Sequence, residues 1–118
     1  MKVILHFMQD HVEIVTKDDV LKHIKDGDAV IVNVLAKSAY DAVHIRGSIS
    51  IPFDQIEGDG WKKLDRRKKV ITYCASSTCN ASKKAAAILL ERGLNAAAYE
   101  GGIKEWVESK LPTDGINR

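Results

Sequence analysis

Short apolar runs alternate along the chain with stretches whose apolar residues recur every three or four positions. Residues 29–35, Ala29-Val30-Ile31-Val32-Asn33-Val34-Leu35, form a nearly unbroken apolar run. Such a run predicts a strand buried on both faces of a parallel sheet. Residues 70–73 and 96–99 predict two more strands, and Ile49-Ser50-Ile51 predicts a short one stopped by Pro52. Helical patterns lie between them. Thr16 can cap a helix with Asp18 and Asp19 in its first turn, an apolar stripe of Val20, Leu21 and Ile24, and Gly27 at its end. Residues 38–43 predict a short helical piece, and residues 53–64 an irregular segment with one helical turn. The strongest helical pattern is residues 81–92, closed by Gly93. A last helix is expected over residues 103–109, between the Gly101-Gly102 turn and Pro112. Near the start, residues 3–7 and 12–15 are β-prone. Strands alternating with helices predict an α/β architecture with right-handed crossovers.

Composition narrows the function more than the fold. A chain of 118 residues is expected to form one domain, with residues 1–13 as an extension or an edge strand. Apolar residues make up 45% and charged residues 29%, as in ordinary globular proteins. A net charge of +2 gives no reason to expect a nucleic-acid or membrane partner. The basic run Lys62, Lys63, Arg66, Arg67, Lys68 and Lys69 reads as a solvated turn ahead of a strand. The apolar start lacks a small-residue cleavage site, so a secretory leader is not expected. Two cysteines in a chain expected to be cytoplasmic point to chemistry before a structural staple.

That chemistry centres on Tyr73-Cys74-Ala75-Ser76-Ser77-Thr78-Cys79-Asn80-Ala81-Ser82. Cys74 ends an apolar strand, a short loop of small and hydroxylated residues follows, and then the best helix begins. Sites in α/β sheets form beyond the carboxyl ends of strands. A helix N-terminus offers free N–H groups and partial positive charge, which lower a thiol's pKa and favour the attacking thiolate. Ala75, Ser76, Ser77, Thr78, Cys79 and Asn80 have little bulk to shield the sulfur. Their backbone N–H groups are expected to form an anion nest, with Lys83 and Lys84 adding positive potential. Cys74 is therefore the candidate nucleophile and residues 75–80 the candidate substrate-binding loop.

The Cys74 loop resembles the active-site loop of rhodanese-like sulfurtransferases. Val43-His44-Ile45-Arg46-Gly47-Ser48, followed by Ile51-Pro52, resembles that family's G-H-I-x-G-A…I-P signature, and Tyr40 matches the aromatic ahead of it. Glu100-Gly101-Gly102-Ile103, with Trp106 and Leu111-Pro112, resembles its C-terminal G-G-x-x-x-W…P signature. The resemblance implies a three-layer α/β fold with a central, mostly parallel five-stranded sheet flanked by helices. It also implies a mechanism. Cys74 takes a sulfane sulfur from a small donor (thiosulfate, polysulfide or persulfide) and forms a persulfide. The sulfur then passes to a thiol or other nucleophilic acceptor, or to a partner protein. No cofactor or metal enters this scheme.

Departures from the family pattern refine the expectation. Asn33-Val34-Leu35 stands where members usually carry Asp-Val-Arg, which removes a charge pair. No Arg occurs between Cys74 and Ser82, so thiosulfate is a weaker donor than a persulfide or polysulfide. Asn80 replaces the Arg a phosphatase needs to clamp a phosphoryl group. The loop resembles a subgroup with Cys-x4-Cys-Asn. Cys79 has two readings: a resolving thiol that closes a disulfide with Cys74, in a redox switch or reductase, or a small residue packed under the loop. A non-catalytic sulfur-carrier or regulatory module is a further alternative. His44 is expected to hold a turn rather than act as a base. Trp61 is expected to pack, with some prospect of lining the site, and Asp54, Glu57 and Asp59 to be solvated. His6, His11 and His23 show no metal-ligand spacing with the cysteines.

Overall fold

A computed structural model describes residues 11–117. The β-prone stretch over residues 3–7 lies outside them. Strand β1 (Glu13–Val15) leads through the Thr16 cap into helix α1 (Lys17–Asp26). Thr16 Oγ1 accepts the Asp19 N–H at 3.2 Å, and Asp19 Oδ2 accepts the Thr16 N–H at 2.9 Å. This reciprocal pair satisfies two otherwise orphaned donors. Gly27, at φ 67°, closes the helix in the left-handed region that favours glycine.

The chain continues through β2 (Ala29–Asn33), α2 (Lys37–Ala42), β3 (His44–Ile45), β4 (Ile49–Ser50) and α3 (Phe53–Glu57). Then come β5 (Lys69–Tyr73), α4 (Ala81–Glu91), β6 (Ala96–Tyr99), α5 (Gly102–Glu108) and β7 (Thr113–Asp114). Five strands form one all-parallel sheet in the order β1-β6-β5-β2-β4. β5 is its centre, so the loop after it opens in the middle of the sheet's carboxyl edge.

Strand periodicity divides the core into two layers. Val32, Val70, Ala96 and Ala98 pack with Ile56 of α3 and Ala85, Ala86, Ala87 and Leu89 of α4. Their strand neighbours Ile31, Ile71, Tyr73, Ala97 and Tyr99 pack on the other face with Val20 of α1 and Trp106 of α5. Successive side chains alternate faces, so a continuous apolar run serves both helical layers. The same parity puts Cys74, after Val70 and Thr72, on the α4 face.

Three details depart from the sequence pattern. β2 ends at Asn33, not residue 35, because Asn33 Oδ1 accepts the Leu35 N–H at 2.9 Å and turns the chain out of the strand. Residues 53–64 are more regular than expected. Pro52 presets the entry to α3, Ile56 is fully buried, and a 3-10 turn follows at Gly60–Lys63. β3 and β7 pair antiparallel, His44 with Asp114 and Ile45 with Thr113. No local pattern announces a two-residue ladder between segments so distant in sequence.

Candidate functional site

The site starts at the carboxyl end of β5. Thr72 Oγ1 donates to the Ser82 carbonyl at 2.7 Å, tying the strand to the first turn of α4. Cys74 and Ser82 are thereby held side by side. From below, α5 grips the loop's start: Ile103 N–H donates to the Cys74 carbonyl at 3.0 Å and Lys104 N–H to the Ala75 carbonyl at 2.9 Å. Gly102, at φ 69°, permits this approach, because a Cβ there would lie 2.7 Å from the Cys74 oxygen. Gly102→Ala is therefore expected to lower stability by at least about 1 kcal/mol from backbone strain alone, and to pull α5 off the loop. Thermal denaturation checks this; an unchanged melting temperature would contradict the close approach.

The loop itself turns back on Cys74. Cys79 N–H donates to the Ser76 carbonyl at 3.0 Å, closing the turn. The Cys74 thiol donates to the Cys79 carbonyl at 3.4 Å, which makes the two cysteines direct neighbours. Cys74 is fully buried; Cys79 is half-buried. This corrects the expectation of an open, low-pKa Cys74. Burial pushes the Cys74 thiol up, and the neighbouring Cys79 sulfur pushes it further. The N–H and hydroxyl of Ser82 work against that rise. Burial also raises Cys79. That rise is outweighed by the Cys74 thiol and by the N–H groups of Ala81 and Ala75, so Cys79 lies below an ordinary thiol. At rest the N–H groups of Ala81 and Ala75 thus favour charge on the Cys79 sulfur. The first proton lost by the pair comes from Cys79, and the resulting charge resists loss of the second.

Alkylation with iodoacetamide is expected to follow this order. Cys79 reacts at a pH where ordinary thiols are still mostly protonated, and Cys74 only at higher pH. Cys79→Ser removes one of the two causes raising Cys74, so the midpoint for Cys74 alkylation should move down. If it stays fixed, the thiols are not coupled.

Of the loop residues singled out from sequence, the structure gathers Cys74, Ala75 and Cys79. Ser76 and Ser77 instead line a cavity of about 180 Å³ with Gly101, Lys104, Glu105 and Glu108. Ser76 and Thr78 bond each other through their hydroxyls at 2.9 Å, and Thr78 and Asn80 face solvent. Ser82 belongs to the site but lies past the loop pattern. Its hydroxyl is fully buried, has no hydrogen-bond partner of its own at rest, and lies close enough to Cys74 to favour the thiolate. The available signal was a serine on the alanine-rich buried face of α4. Lys83 does not add free positive potential, because its Nζ pairs with Glu100 at 2.9 Å.

The flanking motifs have structural roles. Tyr73 OH accepts the Ile45 N–H at 3.0 Å and bonds Ser48 Oγ at 2.8 Å. The His-Ile-x-Gly-Ser segment is thus hung on the residue before Cys74. His44 stacks on Tyr40 at 3.7 Å between ring centroids, and its Nδ1 bonds the Tyr40 carbonyl at 2.6 Å. Trp61 sits against the guanidinium groups of Arg66 and Arg92, each 5.7 Å from its ring. That is the end of α4 opposite the cysteines, so Trp61 does not line the site. Among the described residues, no group of three or more His, Cys, Asp or Glu side chains could hold a metal.

The model for the Rhodanese-like domain family matches residues 16–109. A thiosulfate:glutathione sulfurtransferase from Saccharomyces cerevisiae is 32% identical over 95 residues, covering 70% of this chain and 67% of that protein. An HTH-type transcriptional regulator from Mycobacterium tuberculosis is 27% identical over 100 residues. That match covers 85% of this chain, which spans only 44% of the regulator's length. The crystal structure of the BH2092 protein from Bacillus halodurans superposes with a TM-score of 0.84 at 31% identity, covering 98% of this chain and 86% of that one.

Proposed function

Because this chain belongs to the rhodanese-like domain family, we propose that it is a sulfurtransferase in which Cys74 carries the sulfur. The observation that supports this is the seat of Cys74: it directly follows the central strand, which Thr72 ties to Ser82 in the first turn of α4 at 2.7 Å. Cys79 is the more acidic of the pair and loses its proton first. Transfer of the Cys74 proton to Cys79 gives a Cys74 thiolate. That thiolate attacks the sulfane sulfur of the donor, and the donor's remaining thiolate leaves. Cys74 now bears a persulfide, whose charge is met by Ser82 and by the α4 N-terminus. An acceptor thiolate takes the outer sulfur and restores the Cys74 thiolate. Because Cys74 is covered at rest, the 76–79 turn must open for either partner to reach it.

The surroundings disfavour a doubly charged donor. Lys83 is matched by Glu100, and Glu105 and Glu108 line the cavity beside the turn along with Lys104. Persulfides and polysulfides are therefore proposed ahead of thiosulfate. No described helix is long and apolar enough to cross a membrane. We place the reaction in a reducing, cytoplasmic setting, where both thiols stay available.

The test presents thiosulfate, inorganic polysulfide and glutathione persulfide one at a time. Mass spectrometry should show one added sulfur on Cys74, removed by cyanide or by a thiol. A folded protein that takes sulfur from none of them overturns the proposal. The match to part of a transcriptional regulator supports a second reading, a sulfur-carrying or regulatory module. Full loading of Cys74 with negligible discharge to small thiols would favour it.

A further inference from the structure

Cys79 has no counterpart in simple sulfur relay, which needs a single thiol. Yet the loop is built around it. The Ser76–Cys79 turn folds it back, and the N–H groups of Ala75 and Ala81 favour charge on its sulfur. Its carbonyl accepts the thiol of Cys74 at 3.4 Å, and Cys74 bears the sulfur in the proposed reaction. From this contact we propose that Cys79 attacks the loaded Cys74, releasing hydrogen sulfide and leaving a Cys74–Cys79 disulfide. The inference rests on the sulfurtransferase reading and adds a reductive outcome to it.

The step balances without an outside oxidant. The Cys79 thiol first gives up to water the proton it took from Cys74; its thiolate then attacks Cys74 Sγ, and a new sulfur–sulfur bond forms. The bond from Cys74 Sγ to the outer sulfur breaks, and HS⁻ leaves with the electron pair and takes a proton from water. The outer sulfane sulfur is reduced by two electrons; the two thiols are oxidised by two. A low-molecular-weight thiol or dithiol then reduces the disulfide by exchange and restores the pair. The nucleophile is already seated beside its target, so the step has the advantage of an intramolecular reaction. A disulfide requires Cα atoms within about 7 Å, which a turn closed on itself between the two cysteines is suited to provide.

Two outcomes thus compete at one persulfide. An acceptor that arrives first takes the sulfur; otherwise Cys79 discharges it as sulfide. The loop then waits, oxidised, for a reductant. This makes the protein a persulfide reductase whenever acceptor is scarce.

The test uses the full chain, reduced, desalted and exposed to sodium tetrasulfide without added thiol. Cys79→Ser and Cys79→Ala are treated in parallel, with incubation long enough for complete loading. After a second desalting, the wild type should have lost two hydrogens relative to the reduced chain. Peptide mapping should place the disulfide between Cys74 and Cys79, and dithiothreitol should restore loading. Both variants should instead carry one extra sulfur on Cys74, with a persulfide lifetime at least about tenfold longer than in the wild type. A wild type that keeps its persulfide as long as the variants do overturns this step and leaves sulfur transfer standing. A wild type and variants that all fail to take up sulfur overturn the sulfurtransferase reading, and this step with it.

Discussion

Cys74→Ser is expected to lower sulfur loading and transfer on the order of 10³-fold or more. A serine hydroxyl does not ionise near neutral pH, and its oxygen is a hard nucleophile that attacks a soft sulfane sulfur poorly. The loop should survive the change. The side chain is small and fully buried, and it already lies among polar neighbours: the Cys79 carbonyl, the Ser82 hydroxyl and the Ser82 N–H. Loss of activity without loss of fold is therefore the expected pairing, checked by persulfide mass spectrometry beside thermal denaturation. The variant also separates the two thiols. In this structure Cys79 is the more exposed and the more acidic of them. Should Cys74→Ser still gain one sulfur, now on Cys79, the roles assigned to the pair would have to be exchanged.

Trp106→Ala should have the largest effect on stability, about 3–5 kcal/mol. Trp106 is 1% exposed and packs edge-on to Tyr99 at 6.0 Å between centroids, within the layer that also holds Val20, Ile45, Ile71 and Tyr73. Its Nε1–H donates to the Pro112 carbonyl at 2.8 Å, holding the segment that leads into β7 against α5. Alanine would leave a cavity and remove one of the two donors to the Pro112 carbonyl, which keeps the Arg46 N–H at 3.1 Å. A domain of this kind has about 5–15 kcal/mol in total, so the variant should be marginal at physiological temperature. Its melting temperature should fall by more than about 10 °C. Trp106→Phe keeps most of the packing and loses the N–H, so it should give up only about 1 kcal/mol of hydrogen bonding, plus a smaller packing loss. A fall of under about 1 kcal/mol for the alanine variant would show that this layer does not depend on Trp106.

Much of this molecule was legible as residues. The unbroken runs at 29–35, 70–73 and 96–99 encode parallel strands because only a sheet covered on both faces needs apolar side chains at every position. Thr16 with Asp19, and Gly27, encode both ends of α1 because caps are local chemistry. The Cys74 loop could be located for the same reason, as a strand, a tight loop and a helix in succession. The short elements were less legible. β3 and β7 exist only because Ile45 and Thr113 meet across the molecule, and α3 is regular because Ile56 has a core to enter. The state of the site was not legible at all. Helix-dipole reasoning favours a Cys74 thiolate, but desolvation depends on what covers the sulfur, and the whole tertiary structure decides that.

The sequence by itself determined the architecture, the family and the pair of thiols, because each is carried by local patterns in a fixed order. Only the tertiary structure decided which thiol is the more acidic. β5 carries Cys74 into the core under α4, while the Ser76–Cys79 turn sets Cys79 where the N–H groups of Ala75 and Ala81 favour its charge. Burial penalises charge on the one, and directed donors stabilise it on the other. The same folding left Ser82, from the buried face of α4, against the sulfur that reacts.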